Sequence, residues 1–230
     1  MHIKIDLKIC LILIIFFFCN QLELYLLFMI FTIIHEMGHL ITGLILGFKP
    51  KGINIMPMGL SICFYINTEN YNLKFKNTKI INLKKLFIAI SGPLINLVMA
   101  VICMFYNIKL FGCETEQIIY TNLLIAVFNL IPIYPLDGGR IAKCILDIYN
   151  DLRKAYRYTN KISNITLIIL TIVSSIAILY LKNIAILFII VYLWILTIRE
   201  NIYYNKKMQL YRLMSNLEIE NNLYEYDMKL

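Results

Sequence analysis

Two stretches of this chain, Leu22–Gly47 and Leu86–Tyr106, run for a helix-spanning length with almost no charge. A segment of that kind matches the roughly 20 apolar residues that carry a helix across a bilayer's hydrocarbon core. Once there it must be helical, because lipid offers the backbone no hydrogen-bond partner. Four further apolar segments, 7–19, 117–135, 164–181 and 184–198, bring the count to about six transmembrane helices; the first is short against the roughly 17–25 residues usually needed, and one long helix from Ile9 to Ile34 is the alternative. Composition agrees: the chain is 60% hydrophobic and 16% charged, against about 45–50% and 25% in soluble domains. A water-soluble globule of this size could not hide so much apolar surface. The sequence therefore predicts an all-α polytopic membrane protein, and excludes a soluble enzyme, a disordered chain and a fibre.

The first segment, 7–19, resembles a signal peptide, but Asn20, Gln21 and Leu22 follow it in place of small residues. It reads as an uncleaved span. Between the second and third spans, Gly52–Tyr65 is apolar and contains Pro57, which favours a short re-entrant hairpin over a helix. The following stretch, 67–85, is polar and basic. Of the 22 Lys and Arg residues, only Lys109 and Lys182 fall on one side of this six-span map; the rest lie in 1–8, 48–85, 138–162 and 199–230. The positive-inside rule then puts both termini in the cytoplasm. It also accounts for the net charge of +8 without a nucleic-acid partner. The six cysteines form no C-x-x-C pair and read as small hydrophobes. The chain divides into a membrane domain, 1–198, and a cytoplasmic tail, 199–230. The tail's basic residues come early and suit a helix on anionic lipid; its acidic residues come late.

Inside the second span lies Ile34-His35-Glu36-Met37-Gly38-His39-Leu40. Histidines at i and i+4 project from one helix face, a turn apart. Two imidazoles so placed hold one zinc ion, and the Glu beside the first serves as general base toward water at the metal. A buried polar cluster that only joins helices is the competing reading, but ionisable groups inside spans are rare and mostly functional. A catalytic zinc site wants three protein ligands and an open position. The fourth span ends Asn129-Leu130-Ile131-Pro132-Ile133-Tyr134-Pro135-Leu136-Asp137-Gly138-Gly139-Arg140, and Asp137 is the acidic residue at that end. It is the natural third ligand; the alternative makes it the N-cap of a cytoplasmic helix. A metal or ion transporter using His35, His39 and Asp137 is the other functional reading, and Glu36 argues against it, because transport needs no general base at that offset.

These residues resemble the site-2 protease family of intramembrane zinc metalloproteases. The H-E-x-x-H of an early span, the N-x-x-P-x-x-P-L-D-G-G run of Asn129 to Gly139 and the S-G-P-x-x-N run of Ser91 to Asn96 carry the resemblance. It is nearest to the family's sporulation branch, although that branch's C-terminal CBS domain has no counterpart in 199–230. The resemblance implies an endopeptidase with one zinc per chain, held by His35, His39 and Asp137, with Glu36 catalytic. It further implies that Asn129 and Pro135 position substrate; for Asn129 an interhelical hydrogen bond is the equal alternative. For Ser91-Gly92-Pro93, close helix packing outweighs chemistry, and Asn96 either lines the site or packs. The implied substrate is a membrane-associated protein such as a sporulation sigma-factor precursor. The implied setting is the mother-cell membrane around the forespore, with a membrane regulator as a further partner.

Overall fold

The computed structural model describes residues 2–5, 13–14, 16–18, 20–56, 59–65, 75–149, 152–181 and 185–227. Six long helices follow one another: α1 (Leu22–Ile45), α2 (Phe75–Phe105), α3 (Thr115–Leu130), α4 (Asp137–Tyr149), α5 (Leu152–Leu181) and α6 (Ala185–Asp227). Three strands, β1 (His2–Ile5), β2 (Lys49–Met56) and β3 (Gly59–Tyr65), make one sheet in the order β1-β2-β3. The chain forms two compact units, one of residues 1–132 and 136–149, the other of 133–135 and 150–230.

In the first unit α2 packs against α1, α3 and α4. Leu27 and Phe31 of α1, Cys103 of α2, Cys113 and, on α3, Ile118 and Ile125 form its apolar core. Small residues set how closely the helices approach. A Cβ on Gly38 of α1 would stand 2.7 Å from Ile95 Cδ1 and 3.1 Å from the Ser91 carbonyl oxygen of α2. The outward faces stay apolar: Ile33, Met37, Ile41 and Leu44 on α1, and Leu94, Leu97, Val98 and Val101 on α2, are exposed. A surface of that kind is suited to lipid rather than water.

The hairpin expected at Gly52–Tyr65 is present as antiparallel strands, with Met56 opposite Gly59 and Lys49 opposite Tyr65. It begins earlier than its apolar core, at Lys49, because Lys49 and Pro50 pair with Tyr65 and Phe64 of β3, while β1 adds a parallel strand along Gly52–Ile55. The all-α expectation therefore misses a small sheet. Phe64 of β3 packs where Gly43 of α1 has no side chain, and its ring meets Phe48 edge-on. The hairpin thereby sits on the C-terminal end of α1, where Lys84 Nζ of α2 also donates to the Leu46 carbonyl oxygen.

Among the described residues three helices are long and apolar enough to cross a membrane: Leu22–Ile45, Lys79–Phe105 and Lys154–Ile178. The other expected spans are shorter or incomplete here. The first, 7–19, lies largely outside the described residues, as does the Lys182-Asn183 junction. The fourth is α3, whose 16 residues reach only about 24 Å. Its end is dictated locally: Ile131 precedes Pro132, which forbids the helical region to its predecessor, and Ile131 is extended at φ −60° and ψ 129°. Two helices overrun the sequence-based limits. α2 begins at Phe75, inside the stretch read as a polar loop, and α6 continues through the tail to Asp227.

The second unit pairs α5 with α6. Asn201 Nδ2 donates to Asn164 Oδ1 between them at 3.3 Å. The Ser163 hydroxyl of α5 accepts from the Tyr134 backbone N–H at 3.0 Å and donates to the Thr159 carbonyl oxygen.

Candidate metal centre

The site belongs wholly to the first unit. His35 and His39 face α2 from one side of α1, as their four-residue spacing requires, and both are buried. Asp137 is the first residue of α4. It reaches the same point because the chain leaves helix at Ile131, runs through Pro132 and Pro135, and re-enters helix at once. Gly138 makes that tight return feasible: a Cβ there would lie 2.1 Å from the Leu130 carbonyl oxygen and 2.5 Å from that of Ile131. At Gly138 the returning backbone thus packs against the end of α3, and Ile133 is buried although Pro132 is exposed.

Three side-chain atoms converge. His35 Nε2 lies 2.9 Å and His39 Nε2 3.1 Å from Asp137 Oδ2, and the two Nε2 atoms are 3.2 Å apart. These three residues are the one group of three or more His, Cys, Asp or Glu side chains, among the described residues, arranged to hold a metal ion. The far sides of both rings fix what the near sides are. His39 Nδ1 stands 2.6 Å from the Ile88 carbonyl oxygen, which only accepts, so Nδ1 carries the proton. His35 Nδ1 is 2.9 Å from Asn96 Oδ1 and donates likewise. In its neutral form each ring then turns an Nε2 lone pair toward the other and toward a carboxylate. In that form three acceptors meet at one buried point and suit a cation.

The donor set and spacing suit zinc. Tetrahedral zinc with ligands at about 2.0–2.1 Å separates neighbouring ligand atoms by about 3.3–3.4 Å, close to the 2.9–3.2 Å triangle found here. Room is provided by Gly92 of α2: a Cβ on it would lie 2.4 Å from His39 Nε2 and 2.6 Å from His35 Nε2. Close packing was the favoured sequence reading of Ser91-Gly92-Pro93, and Gly92 packs closely against the imidazoles themselves.

Glu36 follows His35 on α1, is half-buried, and lies within electrostatic reach of His35, His39, Asp137 and Arg140. The Arg140 guanidinium is 3.6 Å from Asp137 Oδ1, the oxygen not shared by the imidazoles. Arg140 escaped the sequence reading, although its i+3 spacing from Asp137 on a helix was the available signal. Asn129 turns its Nδ2 to the Ile125 carbonyl oxygen of its own helix, 3.1 Å away, rather than to another helix. Pro135 lies in the turn between α3 and α4, within the second unit. The cysteines described here keep their packing role. Cys103, Cys113 and Cys144 are free and buried; burial pushes up the Cys113 and Cys144 thiols, which lie outside the spans.

Comparison with known proteins agrees with this geometry. Residues 114–173, the segment that contains Asp137, match peptidase family M50. A zinc metalloprotease of Methanocaldococcus jannaschii is 30% identical over 132 residues, 54% of this chain and 34% of that protein. Stage IV sporulation protein FB of Bacillus subtilis is 26% identical over 137 residues, 59% of this chain and 44% of that protein. The match thus spans less than half the length of either curated relative. The fold is shared with the solved site-2 protease from Methanocaldococcus jannaschii, at TM-score 0.62 and 21% identity, over 86% of this chain and 89% of that one.

Proposed function

We propose that the chain is a member of peptidase family M50, whose match covers residues 114–173, and that it is a zinc-dependent intramembrane endopeptidase. It is an integral membrane protein, and its substrate is a membrane-associated protein cut near the cytoplasmic face. The observation that carries the reading is the convergence of two Nε2 lone pairs and one carboxylate oxygen, with a second carboxylate, Glu36, beside them on the same helix.

His35, His39 and Asp137 would hold one zinc ion. When bound, zinc supplies Lewis acidity toward water and a peptide carbonyl. Glu36 acts as general base, taking a proton from the attacking water at its carboxylate and giving it to the departing amine nitrogen. The histidines lie six and ten residues before Ile45, about 9–15 Å along the helix. A substrate helix must unwind locally to expose its peptide bond at that depth. β3 is an outer strand of the sheet, seated on the end of α1, and suits an unwound segment by strand addition. Asn129, near the end of α3, and Pro135, in the turn that follows, are each assigned to substrate positioning.

Both termini are assigned to the cytoplasm from the distribution of basic residues, with 1–198 as the protease domain and 199–230 as its tail. Likeness to a sporulation protein supports a sporulation sigma-factor precursor as substrate, the mother-cell membrane around the forespore as location and a membrane regulator as partner. Metal removal is the test. Chelator-treated protein in proteoliposomes should stop cutting a membrane-tethered substrate and recover with one equivalent of zinc. Stoichiometric zinc with no peptide product, together with zinc flux across the vesicle, would return the site to the transporter reading.

A further inference from the structure

The outer side of His35 is held by more than one residue. Asn96 of α2 and Asn122 of α3 are both fully buried amides within the apolar first unit. A buried amide costs free energy unless its donors and acceptors are met, and these two meet each other. Asn122 Nδ2 lies 2.9 Å from the Ile118 carbonyl oxygen. Asn122 Oδ1 lies 3.2 Å from Asn96 Nδ2, which is also 3.4 Å from the Phe31 carbonyl oxygen. Asn96 Oδ1 faces His35 Nδ1 at 2.9 Å.

The direction of this chain is set at its root. A carbonyl oxygen only accepts, so Ile118 requires the NH2 of Asn122 to face it. The Asn122 oxygen then faces Asn96, and the NH2 of Asn96 must turn toward it. That leaves the Asn96 oxygen toward His35, whose Nδ1 has to carry the proton. The lone pair of His35 Nε2 is consequently turned toward Asp137 and His39. Reversing either amide would place two donors or two acceptors face to face at some link.

We propose that Asn122 is a positioning residue for the metal centre: through Asn96 it fixes the tautomer and ring orientation of His35 from a third helix. This rests on the zinc reading of the site. A partner directly bonded to a ligand, as Asn96 is, commonly accounts for about 10–100-fold in metal affinity, and Asn122 acts by holding Asn96 in that orientation. His39 supplies an internal control, because its Nδ1 is held by the Ile88 backbone and not by this relay.

The test uses the full chain in detergent and two measurements. One is zinc affinity by chelator competition. The other is the long-range proton–nitrogen spectrum of zinc-free protein labelled with 15N-histidine, a simple spectrum because the chain has three histidines. Asn122→Leu should weaken zinc about 10–100-fold and mix the His35 tautomers while His39 keeps its signals. Asn122→Asp should hold zinc more tightly than Asn122→Leu, since a buried neutral carboxyl still donates to Ile118 and accepts from Asn96; it also serves if the Leu variant does not fold. The proposal is overturned if Asn122→Leu binds zinc like wild type, if both histidines change together, or if Asn122→Asp offers no recovery. A wild-type protein that binds no zinc would instead overturn the metal reading itself.

Discussion

A methyl group at Gly92 would stand 2.4 Å and 2.6 Å from the two imidazole nitrogens that face the metal position. Neither ring can yield, because the opposite nitrogen of each is tied to Ile88 or Asn96. Gly92→Ala should therefore abolish zinc binding, read as metal content of the purified protein, whereas zinc retained near one equivalent would show that the rings have room to move. Asp137→Ala should lower zinc occupancy as well as activity, since two imidazoles alone leave the metal under-coordinated; full occupancy would make Asp137 a helix cap and leave the third ligand unidentified. The shared face of His35 and His39 was legible in the sequence because a helix turns a four-residue spacing into one face. Asp137 was legible from the breaks around it. Gly92 and Asn122 were not, because their roles depend on which helix lies opposite, and that is settled only by packing between α1, α2 and α3.

Among the elements, the hairpin β2–β3 packs against α1, most tightly where Phe64 meets Gly43. Phe64 occupies the space that a side chain at Gly43 would take, with ring carbons 2.4–2.5 Å from a Cβ there. Gly43→Ala should lift the hairpin, at an overpacking cost of about 1–3 kcal/mol, and leave zinc content unchanged because His35 and His39 lie earlier on α1 and Asp137 lies on α4. Limited proteolysis within 49–65 should accelerate and cleavage of a tethered substrate should fall. Unchanged substrate cleavage alongside faster proteolysis would remove the hairpin from substrate handling. The alternation that marks a two-sided strand is weak in this apolar stretch, so the sequence reading found a hairpin from Pro57 and composition but not its sheet. β1 was missed for a related reason: four residues carry too little pattern to announce a parallel partner 50 positions away.

For the whole molecule, the distribution of charge makes the sharpest statement. Lys109 and Glu114 pair in the α2–α3 connection at 3.8 Å, both exposed, while the basic residues of α4 and the start of α5 lie on the other side of the map. A reporter inserted at Glu114 should face outward and one fused after Tyr149 should face the cytoplasm; a cytoplasmic reporter at Glu114 would overturn the orientation. Truncation after Tyr211 should leave zinc content intact, because all three ligands precede residue 140, and loss of zinc in that variant would show the end of α6 to be part of the folded enzyme. The central claim is that Glu36 is the base of a hydrolytic metal site. Its most direct test compares wild type with Glu36→Gln, each loaded with one equivalent of zinc in proteoliposomes, on the same membrane-tethered substrate. The amide keeps the shape but cannot take the proton, so cleavage should fall by about 10²–10⁴ with zinc content unchanged; cleavage at the wild-type rate would contradict the account.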